Sequence, residues 1–176
     1  MWVFGYGSLM WDNWCEDLGC RRRTVGLLRG FRRVFNKAST LNWGTKAHPA
    51  PTLNLLKLPR SSCKGILFEF PEERRDDVMA QLENREGRGF EFQEVPVRLC
   101  VSSKVTATVA IYAGKNILPE MTLGRLAEMA SKAAGKNGSG VDYVLNLDDK
   151  MRAIGIGDPV VSKFAACLRA TTLPKN

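Results

Sequence analysis

Histidine is all but missing: His48 is the only one in 176 residues. Any Ser-His-Asp or Cys-His arrangement would therefore have to run through His48, which sits in a Pro/Ala-rich segment poorly suited to a proton relay. No C-x-x-C pair occurs. The five cysteines, Cys15, Cys20, Cys63, Cys100 and Cys167, are odd in number and widely spaced. A structural zinc needs about four thiolate or imidazole ligands at short spacings, so no metal is expected. The cysteines read as free thiols in a reducing cytoplasm. Long apolar runs are missing too. The longest stretch without a charged side chain is the first 11 residues, Met1 to Trp11, too short to span a bilayer. It lacks the basic leading segment of a secretory signal and reads as a first strand. There is no Walker loop. Gly5-x-Gly7 is followed by Met10 where a dinucleotide fingerprint wants its third glycine.

What remains is an ordinary globular composition, with 44% hydrophobic and 25% charged residues. The length favours one domain over residues 1–176, large enough to bury roughly 70% of the surface its unfolded chain exposes. Lys and Arg total 26 against 18 Asp and Glu, a net charge of +8. Such a balance suits nucleic acid, an anionic surface or a small acidic substrate. The basic residues are scattered, however, with one tight cluster at Arg21, Arg22 and Arg23, and Arg32 and Arg33 further on. No aromatic platform or helix-turn-helix pattern accompanies them. They read as a solvated basic face, with no nucleic-acid and no membrane partner expected.

Trp2-Val3-Phe4 is an apolar run that stops at Gly5-Tyr6-Gly7-Ser8, a strand ending in a glycine-rich turn. Residues 24–36 suggest a long strand bent at Gly26 and Gly30. Residues 37–51 read as a loop and Leu53–Leu58 as a short strand. Alternation predicts further strands at 66–70, at 95–101 with Pro96 marking an edge or bulge, and at 105–113. Between them Pro71 opens a helix running to about Leu82. The last third is helical: a helix capped by Thr122 to about Ala134, a loop over 135–140, a helix from Val141 to Ile154 ending at Gly155, and one from Asp158-Pro159 to about Leu168. Strands first and helices last predict an α+β fold on an antiparallel or mixed, barrel-like sheet.

Two segments carry possible chemistry. In Gly5-Tyr6-Gly7-Ser8-Leu9 the glycines let the backbone approach a ligand and adopt dihedrals that other residues resist. Successive N–H groups there suit a carboxylate or a developing oxyanion, although a plain tight turn has the same spacing. In Arg85-Glu86-Gly87-Arg88-Gly89-Phe90, Glu86 is placed to line a cleft and to act as a general base if partial burial raises its pKa. A surface Arg-Glu pair would look the same.

Phe4-Gly5-Tyr6-Gly7-Ser8-Leu9-Met10-Trp11 resembles the signature of the γ-glutamyl cyclotransferase family, particularly its ChaC-like branch. The resemblance continues in order through Gly30-Phe31-Arg32-Arg33-Val34-Phe35, Ala38-Ser39-Thr40, Cys63-Lys64-Gly65-Ile66-Leu67-Phe68, Leu82-Glu83-Asn84-Arg85-Glu86 and Val141-Asp142-Tyr143-Val144-Leu145-Asn146. It covers nearly the whole chain. It departs at Arg88 and Phe90, where the branch usually has glycine and tyrosine, and in Gly44-Thr45-Lys46-Ala47-His48-Pro49, which lacks the usual basic-glycine-proline stretch. The resemblance implies cleavage of a γ-glutamyl amide by cyclisation to 5-oxoproline. Glutathione is the leading substrate, with another γ-glutamyl amide or a non-catalytic binding module as rival readings. It implies that Glu86 is the catalytic base and that Tyr6, Gly7, Ser8, Leu9, Ser39, Thr40 and Tyr143 bind substrate. No metal or cofactor is implied, and the expected location is cytoplasmic.

Overall fold

A computed structural model of the chain describes residues 1–11, 13–99 and 103–172. Its strands are β1 (Trp2–Gly5), β2 (Arg22–Ser39), β3 (Ala50–Glu69), β4 (Phe90–Arg98) and β5 (Lys104–Tyr112), and helix α1 (Arg75–Glu86) lies between β3 and β4 in sequence. Then follow α2 (Leu123–Lys132), a ribbon of β6 (Ala134–Gly135) and β7 (Gly138–Ser139), α3 (Gly140–Ala153) and α4 (Pro159–Thr172). The first five strands close a barrel in the order β1-β3-β2-β4-β5. β1 runs antiparallel to β3, with Gly5 opposite Ile66, and parallel to β5, with Val3 opposite Thr108. β4 and β5 pair antiparallel from Phe90↔Tyr112 to Arg98↔Lys104. The mixed, barrel-like α+β architecture is the one the sequence predicts.

The chain forms two compact units. One contains Met1–Arg32 and Leu55–Lys115, the other Arg33–Asn54 and Asn116 onward. In the first, the strands are buried on both faces where β1 pairs with β3: Val3, Phe4, Leu67 and Phe68 are at most 1% exposed, as are Val97, Val109 and, on α1, Val78 and Leu82. Strand backbones approach closely where glycine allows it. A Cβ at Gly65 would lie 2.3 Å from the Gly5 carbonyl oxygen and 2.6 Å from the Phe4 ring. In the second unit Ala130, Val144, Leu147, Phe164 and Leu168 are buried, and Phe35 meets Phe164 edge-to-face at 4.7 Å. Asp158 caps α4 through Oδ1, which accepts from the N–H groups of Val160 (2.9 Å) and Val161 (3.3 Å). Its Oδ2 takes the Arg33 guanidinium at 2.9 Å.

Several boundaries differ from the sequence reading. Strand β3 is one 20-residue strand, not a short strand and a later one. Its middle, residues 56–61, is mostly exposed, so no alternation marks it. β2 runs on to Ser39 and narrows the expected loop. Helix α1 starts after a 3-10 turn, Glu72–Arg74, and continues a full turn past Leu82 to Glu86. Residues 83–86 are all polar, which hides that turn from a hydrophobic period. It ends where Gly87 adopts φ +74° and donates its N–H to the Glu83 carbonyl at 2.9 Å. The expected loop over 135–140 contains the β6–β7 ribbon and the start of α3, whose Ser139 and Asp142 form a reciprocal capping box. α4 extends beyond Leu168 to Thr172. β4 begins at Phe90, and the Cys100 and Val101 positions lie outside the described residues.

Candidate active site

β1 delivers the chain to a tight turn at its end. Gly5, the last strand residue, packs so closely that a Cβ would meet Leu9 Cβ at 3.0 Å. A 3-10 turn, Ser8–Met10, follows, closed by Met10 N–H to the Gly7 carbonyl (3.0 Å) and Trp11 N–H to the Ser8 carbonyl (3.4 Å). A 3-10 turn uses the N–H groups of its end and not those of its start. The Ser8 and Leu9 N–H groups are therefore the ones its own bonds leave over. Two side chains hold the remaining carbonyls. Trp14 Nε1–H donates to the Leu9 oxygen at 3.1 Å, and Arg23 Nη2 donates to the Met10 oxygen. Tyr6 and Leu9 are buried, Gly7 is half-buried and Ser8 is exposed.

Gly7 corrects one sequence argument. Its φ is −133°, outside the left-handed region, so its backbone does not demand glycine on that ground. It does have space: apart from its two chain neighbours, no heavy atom lies within 4 Å of where its Cβ would be.

Glu86 is the last residue of α1, half-buried, with Arg85 before it and the Gly87-Arg88-Gly89 corner after it. The sequence reading ended the helix at about Leu82, short of Glu86; its backbone is instead helical, which fixes where its side chain starts. Arg85 Nη2 donates to Ser8 Oγ at 3.3 Å. The end of α1 and the turn after β1, 77 residues apart in sequence, thus meet through these two residues. Beyond the corner, Gly89 has φ +91°, and a Cβ there would be 2.9 Å from the Tyr112 ring. Phe90 packs on Tyr112 edge-to-face at 5.2 Å.

The other three expected residues lie in the second unit. Ser39, 6% exposed at the end of β2, accepts from the Trp43 N–H at 3.2 Å, and Thr40 is half-buried beside it. The Tyr143 hydroxyl, on the first turn of α3, accepts from the Leu53 N–H at 3.0 Å, and its ring packs 5.2 Å from Trp43. His48 is exposed in a turn where its own N–H meets Thr45 Oγ1. The sequence reading missed Trp14, Arg23 and Arg85, the side chains that brace the turn. Arg85 alone had a local signal, its place beside Glu86.

The barrel with its helical final third is the γ-glutamyl cyclotransferase fold. A solved structure of a γ-glutamyl cyclotransferase specific to glutathione from yeast superposes with a TM-score of 0.85 at 20% identity, covering 97% of this chain and 96% of that one. The family model described as "ChaC-like protein" matches residues 1–171, and the chain belongs to that family. Among its relatives, gamma-glutamylcyclotransferase 2-3 of Arabidopsis thaliana is 30% identical over 96% of this chain and 88% of its own length. Glutathione-specific gamma-glutamylcyclotransferase 1 of Danio rerio is 26% identical over 99% of this chain and 91% of its own length.

Proposed function

We propose that this protein is a γ-glutamylcyclotransferase that cleaves glutathione to 5-oxoproline and cysteinylglycine. Family membership along nearly the whole chain supports the reaction, and the naming of its relatives supports the substrate. The observation that carries the site is the Arg85–Ser8 bond, which brings the helix end bearing Glu86 to a turn with open space at Gly7.

The reaction needs little from outside the substrate. The α-ammonium loses a proton, the resulting amine attacks the γ-carbonyl, and a five-membered ring closes. The amide C–N bond then breaks as the leaving nitrogen gains a proton. Glu86 takes the first proton and returns it to the leaving amine. The Ser8 and Leu9 N–H groups receive the substrate carboxylate or the oxyanion; one such donor is worth about 2.7–4 kcal/mol in an oxyanion site. Holding the glutamyl chain folded adds a proximity term, up to roughly 7–11 kcal/mol in ideal cases. Tyr6 and Gly7 shape the same turn. Ser39, Thr40 and Tyr143 are proposed as substrate-binding residues on the resemblance alone. No metal or organic cofactor has a step to perform. Among the described residues no helix is long and apolar enough to cross a membrane, and we propose a cytoplasmic enzyme with neither nucleic-acid nor membrane partners.

The test is to incubate the pure protein with glutathione, γ-glutamyl-amino acids and γ-glutamylamines and to quantify 5-oxoproline. Glutathione should give 5-oxoproline and cysteinylglycine in equal amounts. A preference for another γ-glutamyl amide would move the substrate assignment, and no 5-oxoproline from any of them would overturn the function.

A further inference from the structure

We propose that the pocket formed where β2 meets β3 is a second ligand site, which binds the phosphate group of a small phosphomonoester. It shares no residue with the turn after β1 or with the end of α1, and it does not depend on the proposed reaction.

β2 and β3 are neighbours in the barrel. Together they form an open pocket of about 430 Å³, lined by Leu27, Arg29 and Gly30 of β2 and by Arg60, Ser61 and Ser62 of β3. That lies within the range of small-molecule sites, roughly 300–1,000 Å³. All six residues belong to the first compact unit.

The lining combines two guanidinium groups with no carboxylate. Elsewhere Arg74, Arg75, Arg125 and Arg152 each meet an acidic side chain. Neither Arg29 nor Arg60 has such a partner among the described residues. Arg98 adds a third positive charge. It stands opposite Leu27 in the β2–β4 pair, so its side chain leaves the same face of the sheet. Its Nε is buried, and no group among the described residues accepts from it. Like charges gathered without a counter-charge repel one another, and a bound dianion relieves that repulsion.

The backbone is committed as well. In β2, Gly30 has φ +78°, and apart from its chain neighbours nothing lies within 4 Å of where its Cβ would be. In β3 its counterpart is Arg60, at φ +65° the one non-glycine in the left-handed region among the described residues. Glycine takes that conformation freely and arginine resists it. Ser61 Oγ holds the corner by donating to the Leu58 carbonyl at 2.6 Å. Strain of this kind collects at ligand clamps. Here it keeps a guanidinium at the pocket where glycine would make the same corner without one.

The chemistry selects phosphate. A phosphomonoester carries nearly two negative charges at neutral pH and three strong acceptor oxygens. Guanidinium forks match such oxygens in pairs. One fork from each strand and the Ser62 hydroxyl serve the three acceptors, while the Ser61 proton is already given to Leu58. A single carboxylate offers one charge and two oxygens, too few for the set. Leu27 supplies an apolar wall for the organic part of the ligand.

The test is titration calorimetry on the full chain at about 0.15 M ionic strength, with inorganic phosphate, a hexose phosphate and a nucleoside monophosphate as probes. At least one of the two esters should bind with a Kd below about 1 mM. Arg29→Ala and Arg60→Gly should each weaken it by about tenfold or more. Arg21→Ala, at an exposed basic residue outside the pocket, should not change it. Arg60→Gly should unfold at no lower urea than wild type, because glycine accepts the conformation; a lower midpoint would overturn the reading of Arg60 as strained. No binding of either ester, or equal losses in all three variants, would overturn the site. Succinate binding as tightly as the esters would overturn the selection of phosphate, and binding of inorganic phosphate alone would overturn the ester. Phosphatidylserine vesicles or a DNA duplex bound where the soluble esters are not would overturn the small ligand in favour of a macromolecule.

Discussion

Gly7 and Gly65 are both glycines close to the barrel end of the candidate site, and the structure predicts opposite consequences for giving each a side chain. At Gly65 an added Cβ would lie 2.3 Å from the Gly5 carbonyl oxygen, about 1 Å inside an ordinary C···O contact of roughly 3.3 Å. The obstacle is backbone on a paired strand, with the Phe4 ring behind it at 2.6 Å, so neither can step aside cheaply. Gly65→Ala should lower stability by at least the ~1–3 kcal/mol typical of overpacking. At Gly7 there is nothing within 4 Å to meet, and Gly7→Ala or Gly7→Val should shift stability by no more than about 0.5 kcal/mol, like other surface changes. The same open space is where a substrate would lie against the Ser8 and Leu9 N–H groups. Filling it should lower kcat/KM by about 10²–10³, the loss seen when one oxyanion donor is removed. Ser8→Ala loses the exposed bond from Arg85, worth at most about 1.5 kcal/mol, or roughly tenfold. Urea unfolding and 5-oxoproline release measured on the same preparations separate the two effects. An active Gly7→Val beside an inactive Ser8→Ala would refute the reasoning and point to Ser8 as a nucleophile, with a covalent mass increase on Ser8 as its signature.

Much of this was legible in residues that carry their own local signal. The Phe4-Gly5-Tyr6-Gly7-Ser8 turn, the alternation in β5 and the Asp158-Pro159 cap all depend on neighbours close in sequence, and all stand where the sequence put them. The last turn of α1 was hidden because Glu83, Asn84, Arg85 and Glu86 supply no apolar period, and that turn sets the backbone of the candidate base. The middle of β3 was hidden because solvent covers both its faces, so a strand continues there without a buried side. The Ser139–Asp142 capping box did have a sequence signature, the Ser-x-x-acid spacing before an apolar run, and was passed over. The braces of the turn had none for the contacts they make. Trp14 reaches back five residues to Leu9, Arg23 reaches thirteen to Met10, and Arg85 crosses 77 to Ser8. Such pairings follow from how the barrel closes, which no local pattern encodes.

Glu86→Gln should keep the fold and lower turnover by about 10²–10⁴, the range for loss of a general base; a variant above a tenth of wild-type turnover would refute the assignment. Dialysis against a strong chelator should leave activity unchanged, since ring closure is internal to the substrate; loss restored by one metal would contradict this. Asp148, 1% exposed, is raised by burial but more than offset by hydrogen bonds from Arg169 (2.9 Å), Ser162 (2.9 Å) and Arg152, which hold its carboxyl below the usual range. A depressed folded-state pKa stabilises above the unfolded value of about 3.9 and is lost as pH falls through the folded value. Asp148→Asn should therefore flatten the acid side of the stability profile, and an unchanged acid limb in urea titrations would count against the network. The largest stability loss should come from Asp158→Ala. It removes the α4 cap, typically about 1 kcal/mol, and leaves the Arg33 guanidinium, whose side chain is 0% exposed, without its carboxylate partner at 2.9 Å. Breaking a buried pair from one side costs about 3–5 kcal/mol, so the variant should unfold at markedly lower urea. Asp158→Asn, which keeps an oxygen for the Val160 and Val161 N–H groups but loses the charge, should fall between it and wild type. Equal losses in the two variants would mean that the cap adds nothing beyond the ion pair, and an Asp158→Asn variant as stable as wild type would mean that the cap, not the ion pair, dominates.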